Sequence, residues 1–354
     1  MRKLLKSSAC FRIGALAALW LVSISVLHLS LNGESRTKNR ILMGYMPVIT
    51  NLAAPLVDYA TRDDDLHFEA MKFSSFTEMA ETFRSGHIQA AFIIAPLAIM
   101  LSEQGVPLRI VYIGNRHEST MVVRANGQFN SAMDLVGKKI AVPLRYSGHY
   151  LALKRYMRNQ GLHDSSVNIV EIPPPEMPSA LAASEIDGYF VGEPFASKAI
   201  HSGVGKRFLD AESIWPDFIC NLLIVREELI KSHPEWVEKL VQTAARSGIW
   251  AGDHVDEAIG IVAKYWGQDP DFIRYVFTHP PGRFRFDLYT PVIGEMNEMA
   301  AEMRREGFLP AVSSGGPLID DRFAKGISDL TNSSKDIFTR LGQEKELREQ
   351  ATRQ

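Results

Sequence analysis

The chain has 354 residues, 46% of them apolar and 23% charged, and a formal net charge of −2. These proportions suit a globular protein large enough for two domains. They give nucleic acid no basic field to bind, and the sequence carries no RNA- or DNA-binding motif.

The chain opens with Arg2, Lys3 and Lys6, followed over 13–31 by a stretch without a formally charged side chain. A positive flank before about 20 apolar residues reads as a secretory signal peptide or as a retained membrane anchor. No clear small-x-small cleavage site follows, so residues 1–34 stay open between the two. Either keeps the positive flank cytoplasmic and exports the body. The expected location is periplasmic or otherwise extracytoplasmic, with 13–31 as an inner-membrane anchor if retained. Residues 1–34 carry +3 and the remainder −5. Cys10 precedes the apolar stretch instead of following it, which argues against a lipid-attachment site. Cys220 is the only cysteine in the body, so no disulfide closes there. Its setting, Phe218-Ile-Cys-Asn-Leu-Leu-Ile-Val225, predicts a small buried hydrophobe.

From residue 40 onward strands and helices alternate. Strands are predicted over 40–46, 66–73, 89–94, 108–114 and 120–124, and helices over 51–60, 75–84 and 96–103. Thr50 or Asn51 is the expected N-cap of the first helix, and Pro96 suits the first turn of the third. A second unit repeats the rhythm: strand 139–143, polar turn 145–149, helix 150–159, strand 167–172, short helix 178–183 and strand 188–191. A return crossover is expected near 218–226. Helices then follow over 235–250, 255–266, 269–277 and 289–306, with a loop at 313–317 and a charged tail over 331–354.

This order predicts an α/β fold of two lobes, each a mostly parallel sheet flanked by helices, with a hinge between them. Lobe I is expected over 38–124 plus 222–330, and lobe II over 125–221. Open α/β sheets bind ligands beyond the carboxyl ends of their strands, and free N–H groups at a helix start favour an anion. The segments that end strands are Gly44-Tyr-Met-Pro-Val-Ile-Thr-Asn51, Phe73-Ser-Ser-Phe-Thr77, Ile94-Ala-Pro96 and Arg145-Tyr-Ser-Gly-His149. Glu193-Pro194 and the turn over 210–215 complete the ring. The candidate ligand-binding residues are therefore Tyr45, Pro47, Asn51, Ser75, Phe76, Ala95, Pro96, Tyr146, Ser147, His149, Glu193 and Glu212. Each also has a plain structural reading. Ser75 is a natural helix cap, and Tyr45, Phe76 and Tyr146 suit a core. Glu193 can complement a helix dipole, Glu212 can sit in a solvated turn, and His149 can be a surface residue. No Walker A, G-x-G-x-x-G after a strand, H-E-x-x-H or G-x-S-x-G is present, so no enzymatic activity is expected.

Gly137-Lys-Lys-Ile-Ala-Val-Pro143, Arg145-Tyr-Ser147 with His149, Pro173-Pro-Pro-Glu-Met-Pro178 and Gly188-Tyr-Phe-Val-Gly-Glu-Pro194 occur in this order. Together with Gly44-Tyr-Met-Pro47, Ser75-Phe76 and Gly86-His-Ile-Gln-Ala-Ala-Phe-Ile-Ile-Ala-Pro96, they resemble the nitrate/sulfonate/bicarbonate (NitT/TauT) family of ABC-importer solute-binding proteins. The similarity covers about 40–310 and is nearest the nitrate- and bicarbonate-binding branch. The resemblance implies a two-lobed periplasmic-binding-protein fold (type II), no catalysis, and an ABC permease with its ATPase as partners. It also implies that Ser147, His149, Glu193, the Ser75-Phe76 turn and Ala95-Pro96 border a small ligand. A tethered ligand sensor and a binder of a thiamin-pyrimidine-type precursor are the alternatives. The thiamin-pyrimidine synthases carry a clustered Cys motif that this body lacks.

The departures from the family concern the ligand. Nitrate binders tend to carry Trp at the position of Phe76, a second polar residue at that of Gly148, and Lys at that of Glu212. Two like charges about 4 Å apart at an effective dielectric near 20 repel by roughly 4 kcal/mol. Glu193 and Glu212 beside a bare nitrate would oppose binding by that order. The expectation is therefore either Ca²⁺ held by Glu193 and Glu212 with the anion, or a ligand with its own cationic or hydrogen-bond-donating group. No other cofactor is required.

Overall fold

In the computed structural model, β1 (Asn39–Tyr45) pairs in parallel with β2 (Leu66–Lys72) and β3 (Ala90–Ile94). β10 (Asn221–Arg226) inserts antiparallel between β3 and β4 (Leu108–Ile113), giving the order β2-β1-β3-β10-β4. Every residue of Ala90–Ile94 is buried, which is why this strand reads as a continuous apolar run and not as an alternation. The structure describes residues 20–24, 39–311 and 318–327. The expected loop at 313–317, the tail and nearly all of the N-terminal segment lie outside these residues. Among the described residues no helix is long and apolar enough to cross a membrane.

The second sheet repeats the plan. Its strands are β5 (Ser119–Arg124), β6 (Lys139–Val142), β7 (Asn168–Glu171), β8 (Gly188–Gly192) and β9 (Gly205–Asp210), in the order β7-β6-β8-β5-β9. Here β5 is the antiparallel insert, between β8 and β9. The expected boundary therefore moves: 119–124, read from the sequence as the end of lobe I, is a central strand of lobe II. The chain crosses between lobes twice, over 114–118 and again over 215–220. The crossings lie side by side, with an antiparallel bridge between Arg116 and Ile219. Strand β9 was not visible in the sequence. It is a partly exposed edge strand in which Lys206 and Arg207 interrupt the apolar pattern.

Local chemistry explains the helix starts. The helix α1 (Ala53–Thr61) is capped at Leu52 with no side-chain cap bond. The expected caps, Thr50 and Asn51, instead lie in a 3-10 turn over Ile49–Asn51. Asn51 is committed elsewhere: its Nδ2 donates to Met46 O at 3.1 Å and its Oδ1 accepts from Asn221 Nδ2 at 2.7 Å. α2 (Phe76–Arg84) is capped by Ser75, whose hydroxyl accepts from the Glu78 N–H, and α3 (Ala95–Glu103) carries Pro96 in its first turn. α4 (Gly148–Asn159) begins two residues before the expected start, because Ser147 Oγ accepts from the Tyr150 N–H at 3.2 Å and caps it. Gly148 and His149 thus belong to the helix and not to the turn.

After the short helices α5 (Met177–Ala182), α6 (Phe195–His201) and α7 (Ala211–Ile214), the chain returns through β10 into a helical third. This comprises α8 (Glu227–Ser232), α9 (Pro234–Asp253), α10 (Val255–Trp266), α11 (Pro270–Thr278) and α12 (Ile293–Arg305). α12 begins later than predicted: Pro291 disfavours helix at Thr290, and the extended Val292 is the N-cap. α12 faces α4 across the lobes. Arg155 pairs with Glu298 at 2.6 Å, and Arg158 pairs with Glu306 at 2.6 Å and with Glu302.

Candidate functional site

The polar centre of the molecule lies where the two crossings meet the first turn of α4. The His149 ring is held edge-on to Phe190 at 5.5 Å and tilted against Phe218 at 5.9 Å. Its Nε2 lies 2.9 Å from Ser119 Oγ and 3.8 Å from Cys220 Sγ. Ser119 Oγ donates to Glu118 Oε1 at 2.9 Å, and Glu118 Oε2 accepts from the Glu193 N–H at 2.6 Å. Gly192 makes room for this: a Cβ there would stand 2.5 Å from Glu118 Oε2. The first lobe meets the same cluster from the other side. The Ile49 N–H donates to Glu193 O at 2.9 Å, and the Ala95 N–H donates to Cys220 O at 2.9 Å.

Burial sets the charge states. It pushes the Glu118 carboxyl up to about 7, helped by the nearby Glu193 charge and opposed by hydrogen bonds from Ser119 and the Glu193 N–H. It pushes His149 down to about 3, so the imidazole is neutral at physiological pH. It also holds the Cys220 thiol protonated, well above its ordinary range, with Glu118 adding to the effect. Glu193 is lifted by burial, against the pull of the Ser197 N–H and the Arg283 charge. Three polar side chains here are buried with orphan atoms: Thr50 Oγ1, both amide atoms of Asn115, and His149 Nδ1. Orphans of this kind are rare in folded proteins and need an explanation.

This arrangement is not that of a nucleophilic triad. A triad carboxylate accepts from the imidazole nitrogen that faces away from the nucleophile. Glu118 accepts from Ser119 instead, and the His149 Nδ1 has no partner.

A loop after α11 supplies a residue that sequence reasoning missed. Arg283 Nε and Nη2 donate to Glu212 at 2.9 and 3.2 Å, Nη1 donates to Thr120 Oγ1 at 2.7 Å, and Nη2 donates to Ser119 O at 2.7 Å. The same guanidinium lies 3.0 Å from Asp210 and 4.0 Å from Glu193. This changes the electrostatic expectation. Glu212 is already compensated by a forked cation, and Glu193 has the same cation nearby. Two forked hydrogen bonds to Arg283 occupy the Glu212 carboxylate, so it is not open to Ca²⁺, and the expected repulsion of a bare anion is reduced.

The other candidates divide by location. Ser147 and His149 are buried at the start of α4, and Ala95 and Pro96 at the start of α3. Phe76 is buried under the Ser75 cap, and Pro47 is half-buried beside the Ile49–Asn51 turn. Tyr45 points away into the lobe I core, its hydroxyl donating to Tyr265 O at 3.4 Å. Tyr146 reaches across to the far lobe, with its ring edge-on to Phe308 at 4.9 Å. No sequence motif singles out Asn115, Glu118 or Ser119, while Thr50 stands in a strand-end segment as a helix cap and Cys220 reads as a buried hydrophobe. The available signal was Asn115-Arg-His-Glu-Ser-Thr120, a polar run between two apolar strands.

Two α/β lobes on a double crossing, closed over buried orphan polar groups, define a two-lobed binding protein. The chain belongs to the NMT1-like family, whose model matches residues 36–265. It is 25% identical over 256 residues to the taurine-binding periplasmic protein of Escherichia coli K12, covering 69% of this chain and 79% of that one. The ligand-binding component of an ABC-type import system from Staphylococcus aureus, solved with zinc bound, superposes with a TM-score of 0.71 at 21% identity. That match covers 82% of this chain and 99% of the other. The periplasmic nitrate-binding protein NrtA of Synechocystis PCC 6803 gives 0.68 at 15% identity, covering 86% and 89%. Of several other curated relatives the chain spans about half the length or less. The three proteins named are binding proteins rather than enzymes, as the absence of catalytic motifs led one to expect.

Proposed function

We propose that the chain is the extracytoplasmic solute-binding component of an ABC importer. It would capture a small polar or anionic solute of the nitrate, bicarbonate or sulfonate class between its lobes and deliver it to the permease and its ATPase. The observation that carries this reading is the closure itself: Ile49 of one lobe donates to Glu193 of the other, over a centre that retains orphan polar atoms. The relatives' taurine and nitrate specificities support the solute class. In this reading Ser147, His149, Glu193, the Ser75-Phe76 turn and Ala95-Pro96 border the solute. Asn51 and Tyr45 brace the lobe behind it, and Glu212 acts through Arg283.

The test is a thermal-shift panel of the purified body with nitrate, bicarbonate, taurine and short alkanesulfonates. A ligand that binds only the folded state raises stability by about 2.7 kcal/mol at 100 times its Kd. At least one of these solutes should raise the melting temperature, and His149→Ala should abolish the rise. No shift with any of them would sink the reading.

A further inference from the structure

Glu118, His149 and Cys220 offer three different metal-ligand atoms at one buried point. We propose that these side chains form a site for a divalent first-row transition metal, with zinc as the reference ion, fastening the two crossings to lobe II.

One donor atom from each residue lies within 4.8 Å of the others. His149 Nε2 and Cys220 Sγ are 3.8 Å apart. Tetrahedral zinc with Zn–N of about 2.0 Å and Zn–S of about 2.3 Å holds those two atoms about 3.5 Å apart. His149 and Cys220 need shift only by roughly a few tenths of an ångström, and Glu118 closes in from within 4.8 Å. Ser119 Oγ, 2.9 Å from both Glu118 Oε1 and His149 Nε2, is placed to be a fourth, neutral ligand or to hold a water there.

The donors select the class of ion. Imidazole and thiolate favour zinc, copper or iron over calcium and magnesium, which prefer oxygen. Charge supports the same choice. The three ligands are 1–4% exposed, and a charge buried so deeply must be paired. One thiolate and one carboxylate cancel a dication. Binding releases the thiol proton to solvent, and the carboxyl proton where Glu118 carries one.

The imidazole permits this ligation but does not lock it. No carboxylate or carbonyl is bonded to Nδ1, so the ring proton can move there when Nε2 takes the metal. A missing partner on that nitrogen typically costs 10–100-fold in affinity. The site is accordingly an exchangeable one. The ligands come from three separate segments: Glu118 from the first crossing, Cys220 from the second, and His149 from α4. A bound ion would therefore hold the hinge in the arrangement seen here, and it reaches its ligands when the lobes part.

The test uses the protein freed of metal with a chelator and titrated with cobalt(II) and no solute. A thiolate-to-cobalt charge-transfer absorbance should grow to one equivalent and disappear on adding zinc. Cys220→Ser should abolish the band while keeping the wild-type circular dichroism and melting curve. His149→Gln and Glu118→Gln should weaken the apparent Kd more than tenfold. Absence of the band in the wild type, or its persistence in Cys220→Ser, would overturn the site. Because no solute is present, either result leaves the transport reading to its own test.

Discussion

Arg283 grips Glu212 with two hydrogen bonds, at 2.9 and 3.2 Å, and with the rest of its guanidinium holds Ser119 O and Thr120 Oγ1 of β5. One loop of the helical third thus neutralises the acidic turn of the second lobe. From the sequence, Glu212 read as a free negative charge set against nitrate. With Arg283 in place, the same turn is an ion pair beside Glu193, and the repulsion that would call for a co-bound Ca²⁺ is reduced.

Removing the cation strips Glu212 of its partner and leaves Arg207, paired with Asp210, as the cation that remains beside Asp210 and Glu193. Breaking a buried pair from one side costs about 3–5 kcal/mol. Glu212 keeps some solvent, with its side chain 25% exposed, which puts Arg283→Gln near the lower end. Glu212→Gln should cost less, since Arg283 retains Asp210 and the two β5 oxygens. Urea unfolding of both variants checks the order; equal losses would contradict it.

Glu118 and His149 should pull stability in opposite directions with pH. The native state holds the Glu118 proton up to about 7, against an ordinary value of 4.5. Its contribution is present below 4.5 and is lost as pH rises to about 7; the raised Glu193 acts in the same sense. His149 is held neutral down to about 3, against an ordinary 6.5. Its contribution is present above 6.5 and is lost as pH falls towards 3. Between about pH 4.5 and 6.5 the slopes oppose, each by at most about 1.4 kcal/mol per pH unit. Glu118→Gln should therefore tilt the profile towards greater stability at higher pH, and His149→Gln should tilt it the other way. Parallel profiles for the wild type and both variants would contradict the assignment.

The α4–α12 ion pairs should help hold the lobes together. Arg158 is 24% exposed at its side chain, and Glu302 and Glu306 are more buried. A pair of this exposure contributes about 1 kcal/mol, or about fivefold in affinity if it exists only in the closed form. Arg158→Ala should weaken the binding of whichever panel solute shifts the melting temperature by about that factor. Salt near 1 M should mimic the variant, because the screening length falls to about 3 Å. Calorimetric titration at two salt concentrations measures both effects.

The fold was legible where local chemistry decides it. Ala90–Ile94 with Pro96 behind it, and Lys139–Val142 with the capped start at Ser147, follow from apolar runs and helix signals. Misreadings arose where the tertiary structure decides. Ser119–Arg124 looks like the last strand of one lobe, but β8 and β9 pair with it on either side and claim it for the other. Asn51 looks like a cap, yet Asn221, 170 residues away, takes its side chain. The site divided in the same way. Ser147 and His149 announce themselves at a strand-to-helix turn. Glu118, Cys220 and Arg283 meet them only because two crossings and a distant loop converge, and no local pattern encodes that.

The central claim is that the lobes close on a small polar or anionic solute. Small-angle X-ray scattering of the body, titrated separately with taurine, nitrate, bicarbonate and methanesulfonate, tests it most directly. The radius of gyration should fall and saturate with the solute that raises the melting temperature, and His149→Ala should remove the change. A radius unchanged at saturating concentrations of that solute would contradict the account.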